Sequence, residues 1–206
     1  MNERLSEDYD AVAGAYAKAL LHELDGKPYD REALTELAAS TRGPVADLGC
    51  GPGHVSGFLR DRGADVRGYD LSPGMVVEAR RRFPDVPFEV ADFTALPAEA
   101  GSFAAVVAFY AIVHLPADEL GPAFREWHRV LRDEGRLLMA FHVGRDIVEP
   151  GELFEIPVDL SFVFHDVRVV EEALESVGFG SVVSHVREPY PDAEYPSRRA
   201  YVSARR

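Results

Sequence analysis

The chain has 206 residues, 47% hydrophobic and 28% charged, which suits a single globular domain with a core of its own. Its formal net charge of −13 argues against a nucleic-acid substrate, because phosphate backbones are bound chiefly through Lys and Arg. Cys50 is the one cysteine, no secretory signal is recognisable, and no apolar run could span a bilayer, so we expect a cytoplasmic protein without disulfides, metal or membrane contact.

The chain starts with helical patterning and turns to strands only later. Residues 1 to about 40 carry two amphipathic stretches, YDAVAGAYAKALLHEL and DREALTELAAS. From residue 43, short apolar runs alternate with amphipathic stretches, as in a parallel sheet covered by helices. The predicted strands are PVADLG, ADVRGYD, VPFEVAD, SFAAVVAFY, GRLLMAFHV, VVSHVRE and RRAYVSAR. The predicted helices are GHVSGFLRDRG, SPGMVVEARRRF with Ser72 as its N-cap, LPADELGPAFREWHRVLRDEG and DVRVVEEALESVGF.

Residues 144–165 interrupt this alternation. Connections of that length inside a compact domain are often functional loops or lids. Within them, VDLSFVFH alternates like one strand, whose apolar face we expect to join the core. The two faces of that strand would carry Val158, Leu160, Phe162 and Phe164 on one side, and Asp159, Ser161 and His165 on the other.

The turn after the first strand, VADLGCGPGH, has glycine at every second position from 49 to 53. A glycine-rich turn between a first strand and its helix is where nucleotide-type ligands bind in doubly wound folds, because the backbone passes close to the ligand. The dinucleotide fingerprint G-x-G-x-x-G is absent, since His54 and Ser56 stand where its last glycine would be. The spacing is D-x-G-x-G-x-G, and we expect Asp47 at its start to orient the turn.

This stretch resembles motif I of the class I S-adenosylmethionine-dependent methyltransferases, and the following elements match that family in order to about residue 142. The resemblance implies a Rossmann-like, doubly wound α/β sheet of seven strands in the order 3-2-1-4-5-7-6, with the last strand antiparallel. It also implies an N-terminal helical lid and a ligand crevice between strands one and four.

The family's cofactor, S-adenosyl-L-methionine, and its product S-adenosyl-L-homocysteine would be held by matching positions. The acid that ends the second strand, Asp70, would accept from both ribose hydroxyls. Asp92 would bind the adenine amino group, Phe93 would cover the ring, and Met75 would pack on its other face. Tyr16 of the leading helix would lie near the methionine carboxylate. The expected cofactor-binding residues are Tyr16, Asp47, Gly49, Cys50, Gly51, Gly53, Asp70, Leu71, Met75, Asp92, Phe93 and Phe109.

The same resemblance divides a single domain, residues 1–206, into four parts. These are a helical lid at 1–40, the cofactor-binding half at 43–142, a substrate-side insertion at 144–165, and a C-terminal helix and strand pair at 166–206.

Methyl transfer from a sulfonium is an in-line displacement, so the enzyme contributes mainly proximity and alignment. Where the nucleophile carries a proton, a base must also remove it. We expect His114, which follows the fourth strand, to be that base. The apolar and aromatic wall segments indicate a small, partly apolar acceptor. The expected substrate-side residues are Tyr9, Tyr110, His142, Phe162 and His165.

Motifs of base-methylating enzymes are absent, since AFYA stands where an Asp/Asn-Pro-Pro-aromatic tetrad or a Pro-Cys nucleophile would follow the fourth strand. Three other functions stay open: a non-catalytic protein that binds the cofactor, a cofactor-assisted enzyme that decarboxylates or cyclises, and a nicotinamide-dependent oxidoreductase, which the glycine spacing disfavours. A monomer and a homodimer are both compatible with the sequence.

Overall fold

The computed structural model describes residues 2–191 and 193–206. Its helices are α1 (Asn2–Ala19), α2 (Pro28–Ser40), α3 (His54–Arg60), α4 (Pro73–Arg82), α5 (Leu120–Val130) and α6 (Val167–Ser176). Its main strands are β1 (Val45–Leu48), β2 (Val66–Asp70), β3 (Phe88–Val90), β4 (Phe103–Phe109) and β5 (Leu131–Val143). The remaining strands are β6 (Ile147–Val148), β7 (Glu152–Leu153), β8 (Ile156–Pro157), β9 (Phe162–Val163), β10 (Gly180–Arg187) and β11 (Arg198–Arg205).

A seven-stranded sheet organises the chain in the order β10-β11-β5-β4-β1-β2-β3. Strands β1 to β5 run parallel, whereas β11 is antiparallel to both β5 and β10. This confirms the predicted order, since the short strands β6 to β9 lie outside the sheet. The winding reverses between β1 and β4, and ligands of doubly wound folds bind beyond the carboxyl ends of strands at such a point.

The core lies on both faces of the sheet. On one face, Phe124 and Trp127 of α5 are fully buried against β4 and β5. On the other, Leu34 of α2, Leu59 of α3 and Val76 of α4 cover β1 and β2. Because every residue of β4 is buried, this strand reads as a continuous apolar run rather than an alternating one.

The start of α4 follows the sequence prediction. The Ser72 hydroxyl accepts a hydrogen bond from the Met75 amide at 3.0 Å, and Pro73 occupies the first helical position. This cap fixes the direction in which the chain leaves β2, immediately after Asp70.

The fifth helix is shorter than the stretch LPADELGPAFREWHRVLRDEG predicted. Two short 3₁₀ turns, Ala111–His114 and Ala117–Glu119, come first, and the residue before the second turn is an extended proline. The helix ends at Val130 because the next residue is extended and pairs with β4. At Glu134 the backbone has a φ of +59°, which is incompatible with a continuing helix.

The single strand predicted over VDLSFVFH is wrong. Only Phe162 and Val163 form a strand there, paired antiparallel with β6. Because the chain does not stay extended, the alternation of faces fails for His165, which is 3% exposed and lies within 3.3 Å of the Ile112 carbonyl oxygen through Nε2. The expected burial of Leu160 is confirmed, since it packs with residues of α1 and α4.

Among the described residues, no helix is long and apolar enough to cross a membrane.

Candidate active site

A cavity of about 530 Å³ opens at the carboxyl ends of the central parallel strands, between α1 and the loop after β4. Its size is that of pockets that hold small molecules and cofactors. The predicted site residues that line it are Tyr9, Tyr16, Gly49, Cys50, Gly51, Asp70, Leu71, Met75, Asp92, Phe93, Phe109, Tyr110, His114, His142 and Phe162. Three predicted residues do not line it: Asp47, Gly53 and His165.

Each of the three positions 49, 51 and 53 in the turn favours glycine for a different structural reason. A Cβ on Gly51 would meet no atom within 4 Å and would enter open space at the cavity wall, while the residue's φ of +51° is one that side chains disfavour. A Cβ on Gly49 would lie 2.9 Å from the Ala111 Cβ. A Cβ on Gly53 would lie 2.8 Å from Phe88 Cζ, inside the core. Only the glycine at position 51 therefore leaves room for a ligand.

Asp47 is buried behind the glycine turn. Its Oδ2 accepts a hydrogen bond of 2.6 Å from the Ser56 hydroxyl of α3. Burial raises the pKa of Asp47 to about 6. The bond joins the end of β1 to the helix on the far side of the turn, so it holds the turn's shape without reaching the cavity.

Asp70 ends β2 with its carboxylate at the cavity wall. Its Oδ2 accepts from the Gly51 amide at 2.7 Å, and its Oδ1 accepts from the Ser72 amide at 2.9 Å. Burial raises the pKa of Asp70 to about 6, against the effect of these hydrogen bonds. A carboxylate has about four lone-pair positions, so it can accept further hydrogen bonds from a ligand.

The Cys50 thiol is buried in the same turn. Burial, with smaller contributions from Asp70 and Asp47, raises the pKa of this thiol well above its usual value, so Cys50 is not a thiolate nucleophile.

The wall beyond β3 is formed by an acid and two apolar side chains. Asp92 Oδ1 accepts from the Thr94 amide at 2.8 Å and from its hydroxyl at 2.6 Å, which fixes the carboxylate. The Phe93 ring packs edge-to-face on Trp127, with centroids 5.8 Å apart. Met75 is 1% exposed and reaches the cavity from α4.

His114 is hydrogen-bonded through both ring nitrogens. Its Nδ1 lies 2.8 Å from the Ser161 carbonyl oxygen, which can only accept, so Nδ1 carries the proton. Burial lowers the pKa of His114, so the ring is neutral and its Nε2 accepts from the Tyr9 hydroxyl at 2.7 Å. These two bonds join α1, the loop after β4 and the insertion.

Polar contacts hold α1 against the segment that leads into α4. Asp10 accepts from the Gly74 amide at 2.7 Å and from the Ser72 hydroxyl, at the start of α4. The Ser6 hydroxyl donates to the Leu71 carbonyl oxygen at 3.2 Å. The helix therefore covers the cavity mouth through contacts with the segment that follows Asp70.

A network of buried charges, which sequence reasoning missed, contributes Glu23, Lys27 and Glu194 to the lining of the cavity. Lys27 is 4% exposed, is paired with Glu23, and lies 3.9 Å from Glu194. Arg187 donates to both carboxylate oxygens of Glu194, at 2.7 and 2.8 Å. Burial alone would raise the pKa of Glu23, but the hydrogen bond from His54 and the charge of Lys27 outweigh it and lower this pKa to about 2. The members lie in distant parts of the chain, so neither periodicity nor a short motif could indicate the network.

A model of the methyltransferase domain family matches residues 45–135. The malonyl-[acyl-carrier protein] O-methyltransferase of Enterobacter lignolyticus is 34% identical over 134 residues, 63% of this chain and 53% of the relative. The demethylmenaquinone methyltransferase of Beutenbergia cavernae is 40% identical over 110 residues, 53% of this chain and 45% of the relative. These matches support membership of the class I S-adenosylmethionine-dependent methyltransferases for the part of the chain that they cover.

The chain spans about half the length of those two curated relatives. The solved 1,6-didemethyltoxoflavin-N1-methyltransferase of Burkholderia thailandensis, with 1,6-didemethyltoxoflavin and S-adenosylhomocysteine bound, matches 99% of this chain and 88% of its own. Its TM-score is 0.74 at 21% identity, a similarity that shows the shared fold.

Replacing Gly51 and Gly53 separately by alanine should distinguish a glycine that leaves space for a ligand from one that is needed for packing. Gly53→Ala forces a Cβ against Phe88 at a φ of +82°, and should destabilise the fold by about 1–3 kcal/mol. Gly51→Ala adds only backbone strain, of roughly 1–2 kcal/mol, but should weaken S-adenosylhomocysteine binding strongly. Thermal unfolding and calorimetric titration of both variants check this. Unchanged affinity in Gly51→Ala would contradict the assignment of the open space to a ligand.

Proposed function

We propose that the protein transfers a methyl group from S-adenosylmethionine to a small, partly apolar acceptor by in-line displacement. The observation that carries this proposal is the pairing of Asp70 and Gly51, a buried carboxylate joined to a turn whose missing Cβ leaves open space at the cavity wall. The methyltransferase relatives and the shared fold support it.

The residues present fit the cofactor. Asp70 retains lone pairs for the two ribose hydroxyls, and the fixed carboxylate of Asp92 stands beside Phe93, ready for the adenine. Met75 offers an apolar surface to the ring, and Tyr16 reaches the cavity from α1. When bound, S-adenosylmethionine supplies an activated methyl group, so the protein's contribution is chiefly alignment and the exclusion of water.

His114 acts in this proposal by positioning Tyr9 rather than by accepting a proton itself. Both of its ring nitrogens are hydrogen-bonded in the closed arrangement, so a direct base role would require Tyr9 to leave. The bond instead fixes α1 over the cavity, which keeps water from the reacting groups. We propose that α1 opens to admit ligands and closes through this contact, whereas α2, whose Leu34 is buried in the core, stays on the sheet.

Binding and turnover assays test the proposed function. S-adenosylhomocysteine should bind, NAD should not displace it, and labelled S-adenosylmethionine should yield S-adenosylhomocysteine in the presence of small acceptors and not of duplex DNA or structured RNA. Tight NAD binding would contradict the assignment of the cofactor. Cofactor binding without transfer to any of a broad acceptor set would favour the non-catalytic or cyclising alternatives.

Affinity for S-adenosylhomocysteine should depend on the ionisation of Asp70. Its pKa of about 6 means that protonation competes with the ribose hydroxyls at lower pH, so affinity should fall up to about tenfold per pH unit below 6. Asp70→Asn should lose about 1.5–3 kcal/mol of binding at neutral pH and abolish this pH dependence. Asp47→Asn is the matched control, since Asp47 has a similar pKa but lies outside the cavity. Calorimetry across pH decides, and a dependence that survives in Asp70→Asn would refute the ribose role.

Amide exchange should reveal how α1 closes. Tyr9→Phe removes the bond to His114 and should speed exchange across residues 5–22 even in the free protein. Tyr16→Phe should leave free-protein exchange unchanged but reduce the extra protection that S-adenosylhomocysteine gives, because Tyr16 would contact the cofactor only in the closed state. If wild-type exchange in this segment is equally slow with and without S-adenosylhomocysteine, α1 is fixed scaffold and not a lid.

A further inference from the structure

Tyr110 and His142 lie side by side in the lining of the cavity, and neither is among the expected cofactor-binding residues. Their ring centroids are 5.1 Å apart, and both side chains line the cavity. Tyr110 has a φ of +57°, an uncommon conformation for a bulky residue directly after a buried strand. The His142 ring is held by stacking on Phe164, at 4.9 Å between centroids and 19° between planes. Both rings are therefore fixed in place before any acceptor arrives.

The hydrogen bonds around His142 determine which of its nitrogens carries the proton. Nδ1 lies 2.7 Å from the Ser197 hydroxyl, which accepts at 3.0 Å from the Arg199 guanidinium. In the described chain Ser197 has no other acceptor for its hydroxyl proton, so the proton points to Nδ1. Nδ1 is therefore an acceptor and Nε2 carries the hydrogen. Burial, with the charges of Arg199 and Lys27, lowers the pKa of His142 to about 4, which keeps this tautomer neutral. Within the described chain, Nε2 makes no hydrogen bond.

The Tyr110 hydroxyl is a second donor without an acceptor. The oxygen is buried and makes no hydrogen bond of normal geometry to any described residue. Burial and the charge of Asp30 hold the pKa of Tyr110 well above its usual value, although the nearby Arg199 cation acts in the opposite direction. The hydroxyl therefore keeps its proton. A buried donor left unpaired costs free energy, which an acceptor oxygen of a ligand would recover.

We propose that Tyr110 and His142 together recognise a carbonyl or carboxylate oxygen of the methyl acceptor, with Tyr110 O–H and His142 Nε2–H both donating to it. This inference rests on the proposed function, since it places the acceptor beside the cofactor. Ser197 and Arg199 are positioning residues that set the His142 tautomer. Two fixed donors exclude an ammonium group at this point, so the site selects acceptors with a hydrogen-bond-accepting oxygen.

The tautomer is measured first, on the free protein. With isotope-labelled histidine, the ring-nitrogen chemical shifts of His142 should show a protonated Nε2 and an unprotonated Nδ1 at neutral pH. Ser197→Ala should mix the two tautomers, whereas Ser197→Thr, which keeps the hydroxyl, should preserve the wild-type pattern. A His142 protonated mainly at Nδ1 in the wild type would overturn the proposal.

Binding to the S-adenosylhomocysteine complex is measured next, with benzoate, benzamide and benzylamine as probes. Benzoate and benzamide, which both carry an accepting oxygen, should bind more tightly than benzylamine, and their relative affinities tell carboxylate from carbonyl. Tyr110→Phe and His142→Phe should each weaken the oxygen-bearing probes about three- to tenfold. Tyr69→Phe, which loses a hydroxyl outside the cavity, is the matched control and should change nothing.

Three results would each overturn the proposal. Benzylamine could bind as tightly as the oxygen-bearing probes, both oxygen-bearing probes could fail to bind, or both variants could keep the wild-type affinity. Calorimetry with S-adenosylhomocysteine separates this failure from failure of the proposed function. If the wild type binds S-adenosylhomocysteine but shows no preference for the oxygen-bearing probes, only the recognition pair is wrong. If S-adenosylhomocysteine itself does not bind, the proposed function fails.

Discussion

The contact between Gly49 and Ala111 sets the geometry of the cavity. It joins the turn after β1 to the loop after β4, the two strands between which the winding of the sheet reverses. A Cβ at Gly49 would lie 2.9 Å from that of Ala111, and the backbone there has a φ of +64°, so only glycine satisfies both conditions. Gly51 of the first loop and Tyr110 of the second both line the cavity beside this contact.

Around this contact, parts of the chain that are far apart in sequence meet through polar bonds as well as apolar packing. Helix α1 is held by Asp10 at the start of α4 and by Tyr9 at His114. The C-terminal strand pair reaches the cavity through Glu194, whose carboxylate lies against both Lys27 and Arg199. Buried ion pairs of this kind add little to the free energy of unfolding, but breaking one leaves a buried charge without a partner. They therefore favour a single arrangement of the cavity walls.

The strand order and the residues expected to line the cavity were predicted from the resemblance to a known family, whereas the existence of the strands and helices follows from local rules. The order of apolar runs specifies the parallel strands, and a capping residue such as Ser72 marks where α4 begins. The prediction was wrong for His165 because the insertion is not one extended strand, so the alternation of faces does not apply. The contact of Lys27 with Glu194 could not be predicted from the sequence, since no short-range pattern relates residues that only the folded chain brings together.

The electrostatics of the cavity suit a positively charged methyl donor. Burial lowers the pKa of His114 and His142, so these two rings of the cavity lining stay neutral near physiological pH and add no positive charge to the cavity. The cations that line the cavity, Lys27 and Arg199, both lie against the carboxylate of Glu194, which offsets them. The pKa of Asp70, raised by burial to about 6, still leaves this carboxylate mostly ionised at neutral pH. Neutral imidazoles therefore supply hydrogen-bond donors and acceptors on the acceptor side without the repulsion that imidazolium ions would bring to a low-dielectric site.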